Sequence, residues 1–284
     1  MTAYGQSKHA DKQEDNQFKR MHPNSTQRSI TADKIYSYKT FEAYLCHCDY
    51  FVHWARIVHG CKTLIECRPY ADEWLQSRAG LSPYTQKLDV AALAKLYNCS
   101  ADDFIRTPDR HRADIFRSRK SVNYDRHFSE TKNQEFVDFC KATGLRRQEL
   151  TQLCGNDLLI NGDGTYSILV SRGTKGGRPR ESRIIGDNIE SVVRKMKAAG
   201  TGLVWPKIHH AADIHSYRSF YATSLYKSLA RPISQIPQKE RYYCQNDLAG
   251  TCYDKRAMRI VSNNLGHNRI GIIAEHYIRR SYKE

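Results

Sequence analysis

No stretch of eighteen consecutive apolar residues occurs in the 284-residue sequence, and near its start stand Lys8, His9, Asp11 and Lys12 where a signal peptide would have its apolar region. A membrane-spanning helix and an export signal are therefore not expected, and the reading is a soluble, cytoplasmic protein. Acidic residues are in short supply: 30 Asp and Glu stand against 45 Lys and Arg, giving a formal net charge of +15 and a pI of about 9.4. The basic residues are spread through both halves, and a surface of that charge attracts polyanions, nucleic acid before membrane. Complete disulfide pairing is excluded because nine cysteines is an odd number, and reduced thiols are expected. Also lacking is any paired zinc-ligand spacing. Cys46-His47-Cys48 with Cys61 and Cys67 is the nearest approach, but positions i and i+2 of a helix point apart. No metal and no other cofactor is expected. The glycine-rich stretch near Lys175 has neither P-loop spacing nor a strand-to-helix junction.

The length allows two modest cores. Residues 1–33 are polar, with few apolar side chains, and are expected to form a flexible basic tail, with Lys19, Arg20 and Arg28 available to a polyanion. Residues 34–105 are expected to form an all-helical domain. Phe41, Tyr44, Leu45, Cys48, Phe51 and Val52 recur at steps of three and four behind Ser37 or Thr40 as cap. Further helical segments are placed at Pro69 to Ser77, from Ser82-Pro83 to Asn98, and from Ala101 to Ile105 behind Ser100. Residues 106–127 are read as a basic linker, holding Arg106, Arg110, Arg112, Arg117, Arg119, Lys120 and Arg126.

The second domain, 128–284, is expected to be mainly helical with a small antiparallel three-stranded sheet. A helix through Phe136, Val137 and Phe139 ends at Gly144, and Arg146 opens the next one with Glu149 a turn later, placed to hold its guanidinium. Leu158 to Ile160 and Thr165 to Val170 read as strands joined by Asn161-Gly162-Asp163-Gly164. A third strand, Ser182 to Ile185, follows a basic turn containing Arg172, Lys175 and Arg178. After an amphipathic helix at Ile189 to Ala199, His215 and Arg218 stand at i and i+3 on one helical face. Arg231 to Arg259 is an aromatic, basic insert whose expected use is contact with DNA or a partner. Last come Asn264-Leu265-Gly266-His267 and an apolar helical run that delivers Tyr277.

Taken in this order, Thr143-Gly144-Leu145-Arg146-x-x-Glu149-Leu150, the turn around Lys175, His215-x-x-Arg218, Leu265-Gly266-His267 and Tyr277 resemble the tyrosine site-specific recombinases, the phage-type integrase family. The resemblance covers most of Ile35 to Tyr277. It implies a core-binding helical (SAM-like) domain followed by a catalytic domain in which Tyr277 attacks a DNA phosphodiester to form a 3′-phosphotyrosine. Arg146 and Arg218 would stabilise the charge, Lys175 would be the general acid, and His215 would accept or position a proton. His267 would donate to the phosphate, with Glu149 in support. Neither metal nor ATP would be needed. Arg112, Arg117, Arg119, Lys120, Arg172 and Arg178 would contact DNA. The implied partners are double-stranded DNA with specific sites, three further copies in a tetramer working through a Holliday junction, and an excision factor or host DNA-bending protein. The implied setting is the nucleoid, and a mobile-element integrase is favoured. Two alternatives share the fold: relaxation of DNA in the manner of a type IB topoisomerase, and DNA binding without cleavage. The step from His267 to Tyr277 is one residue longer than is usual in the family, and only seven residues follow Tyr277, among them Tyr282.

Overall fold

The chain divides into two units, residues 1–117 and 118–284, a division that falls within the stretch 106–127. The computed structural model describes residues 3, 6, 8–25, 29–111, 128–174, 178–267 and 269–278. Lys175, Arg112, Arg117, Arg119, Lys120, Arg28, Arg126 and Tyr282 lie outside the described residues.

The first unit begins with a departure from expectation. Residues 1–33, expected to form a flexible basic tail, contain α1 (Lys8–Met21) and α2 (Ile30–Asp33). Composition argued against order, but two long-range carboxylate contacts supply it. Asp15 accepts from the backbone N–H groups of Ile30 and Thr31 at 2.7 and 3.3 Å and from the Ser29 hydroxyl, while Asp11 accepts from Lys34 Nζ at 2.9 Å and Tyr36 Oη at 2.5 Å. Hydrogen bonds to a carboxylate are shorter and stronger than those between neutral groups, and these tie α1 to the segment that follows it.

The helix α3 (Tyr38–His59) starts at Ser37, whose hydroxyl accepts from Thr40 N, and stops at Gly60, which adopts the left-handed conformation at φ 69°. It is followed by α4 (Leu64–Cys67), a 3₁₀ turn at Arg68–Tyr70, α5 (Ala71–Ser77) and α6 (Pro83–Leu96). Ser82 caps α6 with Pro83 in its first turn, and Ser100 starts a 3₁₀ turn at Ala101–Asp103, shorter than the segment expected there. Phe51, Trp74 and Leu93 meet in the core of this unit. Within it, the fully buried Asp89 accepts from His47 Nδ1 at 2.5 Å and Arg78 Nε at 2.7 Å. That bond engages the histidine of the Cys-His-Cys run; Cys46 is exposed and Cys48 buried, as opposite helix faces require. Among the described residues no cluster of His, Cys, Asp or Glu could hold a metal ion, and no helix is long and apolar enough to cross a membrane.

The second unit opens with α7 (Gln134–Thr143), ended by Gly144 at φ 63°, and α8 (Arg147–Leu150), for which Arg146 is the flanking residue rather than the first helical one. A three-stranded antiparallel sheet follows in the order β1 (Leu158–Ile160), β2 (Tyr166–Val170), β3 (Arg180–Arg183). The third strand begins two residues earlier than expected. Arg180 pairs with Val170, whereas Ile185 has already left the sheet to donate to Ala142 O of α7. α9 (Ile189–Ala199) is followed by α10 (Ile214–Leu229), which Asp213 caps. The insert contains a hairpin of β4 (Arg241–Tyr243) and β5 (Cys252–Asp254). Its Arg231 is tied to Asp254 and Glu240, and its Arg241 to the carbonyls of Ile233 and Ile236. These arginines hold the insert together, whatever else it contacts. The helix α11 (Lys255–Asn264), capped by Asp254, leads through Gly266 at φ 67° to a π-helical turn at Ile273–Tyr277, where an α-helical run was expected.

Two cores lie on either side of α10. One gathers Phe136, Phe139, Leu150, Ile168 and Met196, the other Tyr221, Leu225, Met258, Val261 and Ile273. Gly144 sits where they meet. A Cβ there would stand 2.4 Å from Cδ1 of the buried Tyr221 ring and would also carry the strain of a left-handed residue. Combining about 1–2 kcal/mol for the backbone with about 1–3 kcal/mol for overpacking, Gly144→Ala is expected to lower unfolding free energy by about 3 kcal/mol. Urea melts should show this as a reduced midpoint at unchanged slope.

Candidate active site

The basin on the second unit is lined by Arg146, Arg147, His210, Asp213, His215, Arg218 and Tyr277. Its floor is Arg218, 2% exposed, one turn into α10. Its Nε donates to Tyr277 Oη at 3.2 Å, Nη1 donates to Gly144 O and Nη2 to Leu265 O. The Leu265 carbonyl closes α11, at the negative end of the helix dipole. It accepts a second guanidinium as well, from Arg146 Nη2 at 3.0 Å. Burial draws the Arg218 guanidinium down to about 10, with Tyr277 opposing and the charge of Arg146 reinforcing the shift. At neutral pH it remains a cation.

Tyr277 is brought to this cation by the π-helical turn, in which Ile278 N donates to Ile273 O, and is anchored by Ser219 Oγ donating to Tyr277 O at 2.6 Å. Its hydroxyl lies 3.1 Å from His267 Nε2. Guanidinium nitrogens only donate, so the phenol oxygen accepts from Arg218, while the tautomer of His267 sets which way the hydrogen bond between its Nε2 and the phenol runs. His267 is held by its backbone: its N–H donates to Ser262 O at 2.8 Å and its carbonyl accepts from Ser262 Oγ at 3.0 Å. His215 meets Tyr277 through its ring, with centroids 5.5 Å apart, and is exposed to the basin. The structure thus brings together five of the six residues singled out as catalytic, Arg146, His215, Arg218, His267 and Tyr277; the sixth, Lys175, is outside the described residues.

Glu149 is the buried anion of the site. Its Oε1 accepts from Arg146 Nη1 at 2.7 Å and its Oε2 from the Arg146 backbone N–H at 2.7 Å. Sequence reasoning missed its second partner, Arg180 at the start of β3, whose Nη1 and Nη2 each meet one carboxylate oxygen at 2.7 Å. Burial pushes the Glu149 carboxyl up. The Arg180 hydrogen bonds and charge, with the Arg146 N–H, outweigh it and hold the group at about 2, against an ordinary 4.5. A carboxyl whose folded pKa is depressed contributes stability that is present above the unfolded pKa and lost as pH falls through the folded one. At about 1.4 kcal/mol for each unit, that contribution is about 3 kcal/mol, whole above pH 5 and gone near pH 2. The urea-midpoint difference between the parent chain and Glu149→Gln should therefore narrow steadily between those two values.

Arg147 and His210 were also missed as parts of the basin. Arg147 donates to the carbonyls of His209, His210 and Ala212, fixing the loop that carries His210 before α10. The available signal was the paired arginine after Leu145. Arg172, expected at DNA, is half exposed and paired with Asp157 at 2.5 Å, and Arg178 is exposed. Around Glu149 stand three guanidiniums, Arg146, Arg180 and Arg218, which also donate to the carbonyls of Gly144, Asn264 and Leu265. A cluster of guanidiniums of this kind favours an anion next to the phenol.

No family model matches the chain, and no curated protein matches it in sequence. Among solved structures it is similar to the XerH site-specific recombinase bound to its difH substrate in a pre-cleavage complex, at 15% identity and a TM-score of 0.48, covering 85% of this chain and 77% of that one. It is also similar to the Tn1549 transposon integrase in complex with circular intermediate DNA, at 14% identity and a TM-score of 0.41, covering 95% of each chain. XerA recombinase is a third, at 15% identity and a TM-score of 0.30, covering 85% of this chain and 88% of that one. Likenesses of this size carry no function from those proteins to this one, whose chemistry is read from its own residues.

Proposed function

We propose that the protein is a tyrosine site-specific DNA recombinase that breaks and rejoins DNA through Tyr277. The observation that carries the reading is the phenol of Tyr277 held between the buried Arg218 guanidinium at 3.2 Å and His267 Nε2 at 3.1 Å, in a basin of net positive charge. A structural tyrosine has no need of a proton acceptor and a cation on the same oxygen.

In the proposed step Tyr277 Oη attacks the phosphorus, the bond from phosphorus to the 5′ oxygen breaks, and a 3′-phosphotyrosine forms. The phenol proton passes to His267, and the departing 5′ oxygen receives one from Lys175. Charge that builds on the nonbridging oxygens is met by Arg146 and Arg218, whose forks match a phosphate edge. His215, on the exposed side of Tyr277, positions the phosphate. Preorganised donors of this kind lower a barrier by roughly 3–4 kcal/mol each, and acid–base groups add about 10²- to 10⁴-fold. Attack by the 5′ hydroxyl of another strand reverses the sequence, so bond energy is conserved without ATP. Recombination between two specific sites by a tetramer, through a Holliday junction, completes the reading, with integration or excision of a mobile element as the favoured setting.

The test is trapping. A duplex selected from random sequence for tight binding to the protein is nicked at successive positions, so that a short fragment bearing the freed 5′ hydroxyl diffuses away after cleavage and rejoining fails. A covalent protein–DNA adduct whose peptide map places the nucleotide on Tyr277, formed equally well in excess EDTA, is the expected result. Cleavage that stops with EDTA and returns with magnesium or zinc would overturn the proposal.

A further inference from the structure

We propose that Arg180 is a positioning residue whose charge keeps Arg146 available to phosphate. The inference rests on the reading of Arg146 as a phosphate ligand and extends it to a residue that cannot touch DNA in this arrangement, since its side chain is 7% exposed.

Glu149 alone would be a poor neighbour for Arg146. An arginine closed into an ion pair with a fully buried carboxylate has its charge cancelled where it is needed, and a phosphate would have to compete with that carboxylate for it. Arg180 changes the balance. Its fork takes both carboxylate oxygens at 2.7 Å, the bidentate geometry of the strongest arginine–carboxylate pairs, whereas the Arg146 guanidinium makes one bond to Oε1. Glu149 and Arg180 therefore form the neutral pair. Arg146, 20% exposed at its side chain, is oriented by the shared oxygen and by Leu265 O, two contacts for five N–H groups. Arg180 also ties the pair to the end of α11, where its Nε donates to Asn264 O at 2.7 Å and its side chain lies against Gly266, whose Cβ would stand 2.8 Å from Arg180 Cδ. One buried cation thus links the start of β3, the Arg146–Glu149 pair and the turn that carries His267.

The test is DNA binding as a function of salt in the full-length chain carrying Tyr277→Phe, so that no cleavage disturbs the equilibrium. The probe is the selected duplex without a nick. Each phosphate contact made by a cation contributes about 0.9 to the slope of log K against log salt. Arg146→Ala should lower the slope by that amount. Arg180→Met should lower it equally although Arg180 reaches no phosphate, and adding Glu149→Gln to Arg180→Met should restore it, because without the carboxylate no counter-charge is needed. Arg180→Gln, which keeps a donor for Glu149 without the charge, replaces Arg180→Met should the latter not fold. An unchanged slope in the Arg180 variant, or a lowered slope that Glu149→Gln fails to restore, overturns the proposal, the second outcome marking Arg180 as merely structural. Absence of cleavage by the parent chain would overturn the recombinase reading and leave this measurement standing, since every chain compared lacks the phenolic oxygen.

Discussion

Tyr277→Phe is expected to abolish the covalent protein–DNA adduct completely while changing DNA affinity by less than about threefold, a difference under 1 kcal/mol. The substitution removes the attacking oxygen and nothing else. The ring keeps its place because the turn is held through the Tyr277 carbonyl, to which Ser219 Oγ donates, and through Ile273 and Ile278, both buried. What is lost in binding is one acceptor for Arg218 Nε and one hydrogen-bond partner of His267, and a bound phosphate can supply the acceptor. Adduct yield on the nicked duplex, read on denaturing gels beside a filter-binding titration, gives both quantities from one preparation. An adduct that persisted in Tyr277→Phe would move the nucleophile elsewhere, to Tyr282 first, which lies close by in sequence.

The second large effect separates proton donation from charge stabilisation. A 5′-bridging phosphorothiolate at the scissile bond leaves as a thiolate of low pKa that needs little protonation. Lys175→Ala is expected to slow cleavage of ordinary DNA by about 10²- to 10⁴-fold and to recover most of that rate on the thio-substituted strand. Arg146→Ala and Arg218→Ala should remain slow on both, because what they lose acts on the nonbridging oxygens. His267→Asn should also fail to recover, since in the proposed step it serves the attacking group and not the leaving one. Equal recovery of all four would mean that the substitution masks the chemical step. Recovery of an Arg172 or Arg178 variant in place of Lys175→Ala would reassign the acid to that neighbour.

How much of this arrangement could be read beforehand follows from the range of the interactions. Features set by neighbours in sequence were legible: Ser82-Pro83 starts a helix, Asn161-Gly162-Asp163-Gly164 turns a hairpin, Gly144 ends a helix at positive φ, and Glu149 folds back on Arg146 within one turn. The spacing of His215 and Arg218 placed both at one basin, although only the fold decided that one would be exposed and the other buried. Features set by distant partners were not legible. Nothing near Arg180 announces a carboxylate 31 positions earlier, and nothing in residues 8–33 shows that Asp15 will find three donors beyond the next turn. The π-helical turn escaped for another reason: its i→i+5 bonds add about one residue to a turn, which leaves the apolar spacing nearly unaltered over so short a run.

The guanidinium of Arg218 is also a rivet. Gly144 O belongs to the end of α7 and Leu265 O to the end of α11, and Arg218 on α10 fastens both from within. Cutting it away would strand the Gly144 carbonyl in the interior, at about 1–3 kcal/mol, and leave Leu265 O to Arg146 alone, besides leaving a hole the size of its side chain. Loss of chemistry and loss of structure are thus inseparable at this position, whereas at Tyr277 they come apart. A folded, silent version of the protein, fit for holding DNA without cutting it, is obtained by editing the phenol. By the same physics, if the protein cleaves as proposed, a lineage that gave up cleavage could shed its tyrosine early and would be expected to retain its buried arginine long afterwards.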